Sequence, residues 1–225
     1  MNKPSLRKKI SDKIKKYRRY FHDKEQKAKL TNTQACIISS NCIGGIVSHN
    51  LGLRLNSPTI NLYMAPGDFV KFCTKLDFYL SLTPTAWHER NGYPVLMLGD
   101  LVLHALHYGS FDEAIGAWER RKTRVDLDRV VLVMSERDGC THQNCLDFDK
   151  LPYPKVLFTC QKYKDVQSSF YLPKTENLGK DRETNKVIDL TQRAKKLSGL
   201  RYLDAFDWAE FLNCGHLQGS KSFNQ

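Results

Sequence analysis

The sequence contains no run of about 20 consecutive apolar residues, the length that a helix needs to span a bilayer. It also lacks the apolar core of a secretory signal near its start, so we expect a cytoplasmic protein. Its seven cysteines are an odd count, which favours reduced thiols over a disulfide framework. Of the 225 residues, 41% are hydrophobic and 26% are charged, which is typical of a globular protein and excludes the fibrous and disordered classes.

Several familiar ligand-binding motifs are missing as well. Neither G-x-G-x-x-G nor the P-loop pattern occurs, so no common signature identifies a cofactor. Residues 140–145 hold two cysteines and a histidine, but no second Cys/His pair follows at zinc-finger spacing. We interpret this segment as a turn and a helix start capped by Thr141, and we expect no metal site.

Positive charge is present in excess, and it is concentrated at one end of the chain. The 35 Lys and Arg residues outnumber the 24 Asp and Glu residues, for a net charge of +11. Residues 1–30 hold twelve basic and three acidic residues, a net charge of +9. The rest of the chain is nearly neutral, which disfavours a broad nucleic-acid surface.

The basic segment has the pattern of an amphipathic helix over residues 5–29. Apolar side chains recur every three or four residues, at Leu6, Ile10, Ile14, Tyr17 and Phe21. Two interpretations remain open: the apolar face packs on the protein's own core, or it binds an anionic membrane surface at the inner face of the plasma membrane. Nucleic-acid binding is disfavoured, because the segment has few arginines and few aromatic residues.

The rest of the chain alternates apolar runs of strand length with helical segments. This order predicts an α/β domain with a mostly parallel or mixed central sheet flanked by helices. We expect a helical appendage over residues 1–30, a single domain over 31–215 and a tail over 216–225. Strands are expected at 35–39, 58–63, 93–98, 129–135 and 155–160, with edge strands near 170–172 and 187–188, and helices at about 43–55, 67–80, 110–124, 141–148 and 204–212.

The first strand-to-helix turn, residues 39–45, is the most suggestive site. Glycine-rich turns at the carboxyl ends of strands let backbone N–H groups approach an anionic ligand. Asn41, Gly44 and Gly45 are the binding candidates. Cys42 is a candidate nucleophile at the helix start, with His49 two helical turns further on. The alternative, a small buried thiol with no chemistry, is the more common case.

Two further groups of polar residues are candidates. Asp100, His104 and His107 would share one face of a helix, but the pattern favours a strand, which argues against a metal site and leaves an acid/base pair possible. Four cations lie near the end of the helix at residues 110–124. Their charges either interact favourably with the negative end of that helix or bind a phosphate or carboxylate. The candidates for anion binding are Arg120, Arg121 and Arg124.

Several segments together resemble a bacterial family of exopolysaccharide biosynthesis proteins. They cover residues 38–45, 51–53, 56–59, 93–95, 98–100, 104–108, 118–121, 137–141, 206–208 and 211–213. Within the first segment, Ser40 and Ile43 stand where the family usually has Asn and an aromatic residue. The resemblance implies a role in glycan assembly at the cytosolic face of the membrane, without implying a particular reaction.

These observations lead to two hypotheses about function. The first is a transferase that uses a nucleotide-activated sugar, an acyl group or another anionic donor, and a lipid-linked glycan as acceptor. Asn41, Cys42, Gly44 and Gly45 would line the donor site, and Asp100 or His104 would act as general base. The wider set of candidates adds His49, His107, Arg120, Arg121, Arg124 and Asp138. The second hypothesis is a non-catalytic assembly or regulatory protein of the same pathway.

Overall fold

The computed structural model describes residues 6–173, 175, 189–192 and 199–215. The order of elements within them matches the predicted alternation of strands and helices. The elements are α1 (Leu6–Lys29), β1 (Cys36–Ser39), α2 (Ile43–Leu51), α3 (Pro66–Thr74), α4 (Leu76–Ser81), β2 (Thr85–Arg90), β3 (Tyr93–Leu98), β4 (Leu101–His104), α5 (Phe111–Lys122), β5 (Val130–Ser135), α6 (His142–Asp149), β6 (Lys155–Thr159), β7 (Ser169–Tyr171) and α7 (Trp208–Cys214).

A parallel four-stranded sheet in the order β1-β5-β6-β7 forms the centre of the protein. Every residue of β5 is buried, because this strand lies between β1 and β6 and both of its faces are covered. A continuous apolar run is what a doubly covered parallel strand requires. The predicted α/β class with a helix-flanked sheet is therefore confirmed.

The two faces of this sheet support different layers. One face packs against α3, α5, α6 and an antiparallel sheet in the order β2-β3-β4, through side chains such as Ile38, Leu132 and Trp118. The other face packs against α2 and α7, through side chains such as Val133 and Phe158. Alternating side chains of each strand thus enter two separate cores, as the two-residue period of a strand dictates.

Three details differ from the sequence-based expectations. The helix predicted over residues 67–80 is interrupted at Lys75, whose backbone leaves the helical region at φ −126° and ψ 49°, so α3 and α4 are separate helices. The strand predicted over 58–63 is a turn region in which Tyr63 forms one isolated bridge with His104. Strand β2 was not predicted, because its six residues are polar or exposed. The expectations for residues 187–188 and 216–225 lie outside the described residues.

Helix α1 contacts α2 and α7, but it does so through its polar side. Gln26 is buried and accepts a hydrogen bond from the N–H of Ala209 at 3.1 Å. Ile10 and Ile14 are exposed, so the one of the two open interpretations in which the apolar face packs on the protein's own core is wrong. Among the described helices, none has both the length and the apolar character required to cross a bilayer.

Candidate functional site

A cavity of about 220 Å³ opens at the carboxyl edge of the parallel sheet. The segments that follow β1 and β5 form its floor, where ligands bind in open α/β sheets. Tyr63, Leu106 and residues 189–191 complete its walls. Polar groups from several parts of the chain therefore meet at one edge.

The turn after β1 is built by hydrogen bonds of its own side chains. Ser39 Oγ accepts from the N–H of Gly44 at 3.0 Å and donates to the carbonyl of Asn41 at 2.5 Å. Asn41 accepts from the N–H of Ile43 at 3.1 Å and donates to Ser135 Oγ at 2.9 Å. A Cβ on Gly44 would lie only 2.6 Å from Ser39 Oγ, so this close approach requires glycine. Asn41 and Gly44 thus position the turn, and Gly45 faces Ile60.

Cys42 lies at the start of α2, and its thiol lies next to a histidine that is distant in sequence. The distance from Cys42 Sγ to His107 Nε2 is 3.2 Å. Burial raises the pKa of the Cys42 thiol, while the nearby positive charge of Arg137 acts in the opposite direction. A thiol beside an imidazole and a cation is an arrangement that supports thiol-based catalysis.

His107 reaches this position because the chain after β4 is fastened at both ends. The N–H and the carbonyl of His104 bond with Tyr63, each at 2.9 Å. Further on, Tyr108 donates its hydroxyl proton to the carbonyl of Ile60 at 3.0 Å. The exposed loop between these anchors places His107 Nε2 next to the Cys42 thiol.

His104 lies beside the cavity rather than in it. Its Nδ1 is 3.4 Å from the Tyr93 hydroxyl, and its ring lies 5.3 Å from the ring of Tyr63. Burial, followed by the charges of Arg90 and His88, lowers the pKa of His104. At neutral pH the ring is therefore uncharged. His104 and His107 do not form a joint site with Asp100.

Asp100 occupies the turn between β3 and β4 and does not line the cavity. Its carboxylate accepts hydrogen bonds from Lys71 Nζ and, at 2.9 Å, from the Tyr79 hydroxyl. These two hydrogen bonds, Lys71 first, lower the pKa of Asp100. The carboxylate is ionised at neutral pH, and its contacts fasten the turn to α3 and α4.

The arginines at the end of α5 also lie outside the cavity lining. Arg121 donates to the carbonyl of Ile60 at 3.3 Å and to the Tyr108 hydroxyl at 2.6 Å. Arg124 donates to the carbonyl of Leu55 at 3.4 Å, and Arg120 is exposed. These contacts give Arg121 and Arg124 a role in holding the segment at residues 55–60. His49 is exposed near the end of α2, away from the cavity lining.

Arg137 is the functional candidate that the sequence reasoning did not select. It lines the cavity together with Asp138, and the Arg137 Nε atom lies 2.6 Å from Asp138 Oδ2. The signal was present, because Arg137 follows the apolar strand β5 and side chains at the carboxyl ends of parallel strands meet at one edge. Ser135 could have been found in the same way.

One potential set of metal donors occurs in the described residues, and it lies away from the cavity. Ligand atoms of His22, Asp23 and Asp204 are within 4.8 Å of one another. Arg19 pairs with Asp23 at 2.9 Å and with Asp204 at 3.3 Å, and Arg201 pairs with Asp204 at 2.9 Å. The carboxylates therefore already have cationic partners, and we assign an ion-pair network that joins α1 to the body.

Comparison with known sequences places the chain in a family. The model of the family described as a domain of unknown function, DUF1919, matches residues 13–213. A protein of Haemophilus influenzae described as an uncharacterized protein is 35% identical over 206 residues, which are 91% of this chain and 97% of that protein. The chain belongs to the DUF1919 family.

Proposed function

We propose that this protein is a transferase of extracellular polysaccharide biosynthesis that moves an acyl group through the thiol of Cys42. The observation that carries the proposal is the 3.2 Å contact between Cys42 Sγ, which lines the cavity, and His107 Nε2. Sugar and acyl donors were both expected from the sequence. The thiol favours the acyl donor, because sulfur nucleophiles form thioesters with activated carbonyl groups.

The reaction has two balanced steps. First, His107 Nε2 takes the proton of the Cys42 thiol, the sulfur attacks the donor carbonyl, and the leaving group departs with the proton from the imidazolium. Second, His107 takes the proton of an acceptor hydroxyl, whose oxygen attacks the thioester. The Cys42 sulfur then leaves and regains its proton from His107. No redox partner is required.

Arg137 supplies the charge that an anionic donor needs. Its guanidinium lines the same cavity as Cys42, so it can bind a phosphate or carboxylate of the donor next to the thiol. The same charge opposes the effect of burial on the pKa of Cys42. Asn41 and Ser135 bind each other and hold the turn on which Cys42 lies.

The polysaccharide context rests on the resemblance to exopolysaccharide biosynthesis proteins, which is carried by segments such as residues 38–45, 104–108 and 206–208. In that context the acceptor is a hydroxyl group of a lipid-linked glycan, met at the cytosolic face of the membrane. The donor is an acyl group on an anionic carrier, such as an acyl-CoA.

The proposal is tested by intact-protein mass spectrometry after incubation with a panel of short acyl-CoA donors. We expect a mass increase of one acyl group that hydroxylamine removes and that peptide mapping places on Cys42. The Cys42→Ala variant should lose it. The Cys214→Ala variant is the matched control, since Cys214 is an exposed thiol far along the chain and its loss should change nothing. An adduct that persists in Cys42→Ala, or none with any donor, would overturn the proposal.

A second candidate is a non-catalytic assembly or regulatory protein of the same pathway. The raised pKa of Cys42 favours it, because a thiol that stays protonated at neutral pH is a weaker nucleophile. Replacing Cys42 by Ser and His107 by Asn in the producing cell discriminates the two. Unchanged polysaccharide output with both variants folded supports the non-catalytic role.

A further inference from the structure

Helix α1 is docked with its apolar side outward. Ile10 is 52% exposed, Ile14 49%, Tyr17 58% and Phe21 62%. These side chains recur at helical spacing and form one strip, which we call the outer strip, with Tyr20 at its margin and also exposed. A surface helix of a globular protein normally turns such a strip toward the core.

The opposite side of α1 explains this orientation, because the body offers it polar partners. Arg19 pairs with Asp204, whose side chain is only 3% exposed, at 3.3 Å. The Gln26 side chain accepts a hydrogen bond from the N–H of Ala209 at the start of α7. Asn213 of α7 donates to the carbonyl of Lys29 at 2.9 Å. Rotating the helix to bury Ile10 and Ile14 would break these contacts. The outer strip is therefore held outward by specific interactions.

Positive charge surrounds the outer strip. Residues 10–29 contain eight basic and three acidic residues. Each of the three acidic side chains pairs within the helix, Asp12 with Lys15, Asp23 with Arg19 and Glu25 with Lys29. Exposed lysines, which include Lys13, Lys16 and Lys24, face solvent around the strip.

We propose that the outer strip of α1 docks this protein on the surface of a membrane that contains anionic lipid. Apolar and aromatic side chains enter the interface between headgroups and acyl chains, while the surrounding lysines contact the negative headgroups. The helix lies in the plane of the surface and remains attached to the body by its polar side.

The charge around the outer strip favours an anionic membrane over two other partners, a second copy of the chain and a nucleic acid. A second copy of the chain would bring two sets of lysines together around the paired strips, and like charges would oppose that contact. Nucleic acid would attract the lysines but leave Ile10, Ile14 and Phe21 in water. Of these three partners, only an anionic bilayer satisfies both the apolar strip and its basic surroundings. The proposal does not depend on the reaction at Cys42.

Flotation of the full-length protein with vesicles tests the proposal. We expect binding to vesicles that contain phosphatidylglycerol and much weaker binding to phosphatidylcholine alone, with a loss on addition of salt. Ile14→Asp should lower the partition coefficient by about tenfold or more, since it removes apolar contact and adds repulsion. Phe78→Asp is the matched control, because Phe78 is 55% exposed and lies in α4, so binding should be unchanged.

Each other outcome argues against the proposal in a distinct way. Equal binding of wild type and Ile14→Asp would show that the outer strip is not the docking surface. Dimerisation in light scattering that Ile14→Asp abolishes, without vesicle binding, would assign the strip to a second copy. Binding to a nucleic acid oligomer but not to vesicles would assign the lysines to that ligand. Circular dichroism of the variants confirms that they are folded.

Discussion

His107 Nε2 lies 3.2 Å from Cys42 Sγ, although 65 positions separate the two residues in the chain. Cys42 belongs to the turn between β1 and α2, and His107 belongs to the loop that leaves the antiparallel sheet. Their contact therefore depends on how the two sheets are joined. Tyr63 bridges to His104 of β4, and the N–H of Met64 donates to the carbonyl of Ser40 after β1 at 2.9 Å.

The reactivity of Cys42 should respond to Arg137 and Asp138 in opposite directions. Arg137 lowers the pKa of Cys42 and burial raises it, so Arg137→Gln should move the pH midpoint of iodoacetamide labelling upward. Asp138→Asn should move it downward, because Arg137 then loses the carboxylate that partly neutralises it. Asn tolerates the positive φ of 55° at this position. Labelling rates at the Cys42 peptide, followed by mass spectrometry across pH, measure both shifts. Equal midpoints in the two variants would contradict the assigned role of Arg137.

Replacing Arg121 should lower the free energy of unfolding, whereas replacing Arg120 should hardly change it. Arg121 bonds the carbonyl of Ile60 and the hydroxyl of Tyr108, so Arg121→Gln should lower the free energy of unfolding by about 1 to 3 kcal/mol. Arg120 is exposed on the same helix, and Arg120→Gln should change it by less than about 0.5 kcal/mol. Urea denaturation measures both values. A larger effect at Arg120 would show that our division of these arginines is wrong.

Asp100 should act as a structural carboxylate. Lys71 is the largest cause of its lowered pKa, so Lys71→Met should raise the pKa of Asp100 toward its ordinary value. NMR titration of the side-chain carboxyl carbon gives this pKa directly. In the otherwise unchanged protein, Asp100→Asn should leave the acylation of Cys42 unchanged, whereas His107→Asn should abolish it. Loss of acylation in Asp100→Asn would return Asp100 to the reacting groups.

The free energy of unfolding should fall at alkaline pH. Burial raises the pKa of Cys36 to about 12 and that of Cys73 well above its ordinary value, so both thiols stay protonated in the folded protein. In the unfolded chain they ionise above about pH 8.5, so each contributes a loss of about 1.4 kcal/mol per pH unit above that point. For Cys36 the loss continues to about pH 12.

Urea denaturation in reducing buffer between pH 7 and pH 10 measures this slope. Cys73→Ala should make it shallower, whatever the variant costs in stability at neutral pH. Val70→Ala, at a buried apolar position of the same helix, removes no titratable group and should leave the slope as it is. A slope that Cys73→Ala does not change would contradict a buried, protonated thiol at this position.

Elements with a strong local pattern were predictable from the sequence. Strands β5 and β6 are continuous apolar runs, and they are buried on both faces as expected. Strand β2 has no such pattern, because its residues are exposed and its place in the sheet depends on pairing with β3. The one local signal was Asn91-Gly92, whose positive φ angles of 50° and 80° form the hairpin turn between them.

Only half of the candidate site could be predicted from the sequence, for a related reason. The strand, turn and helix around Cys42 are consecutive in the chain, so local reasoning could find them. His107 was grouped with Asp100 and His104 because they are neighbours in sequence, whereas its partner in space is Cys42. Contacts between separate sheets depend on tertiary packing, which spacing along the chain does not encode.

The order of strands in the parallel sheet also constrains how the chain can fold. Strand β1 pairs with β5, so Ile38 finds its neighbour Leu132 only after more than ninety further residues have been synthesised. The contacts of helix α1 with α7 depend on residues that are synthesised later still, because Ala209 and Asn213 lie near the other end of the described chain. Such long-range contacts slow folding and leave early segments uncovered. On the ribosome, β1 can therefore pair with β5, and α1 can pack on α7, only after those later elements have emerged, whereas α2 is available to both of them early.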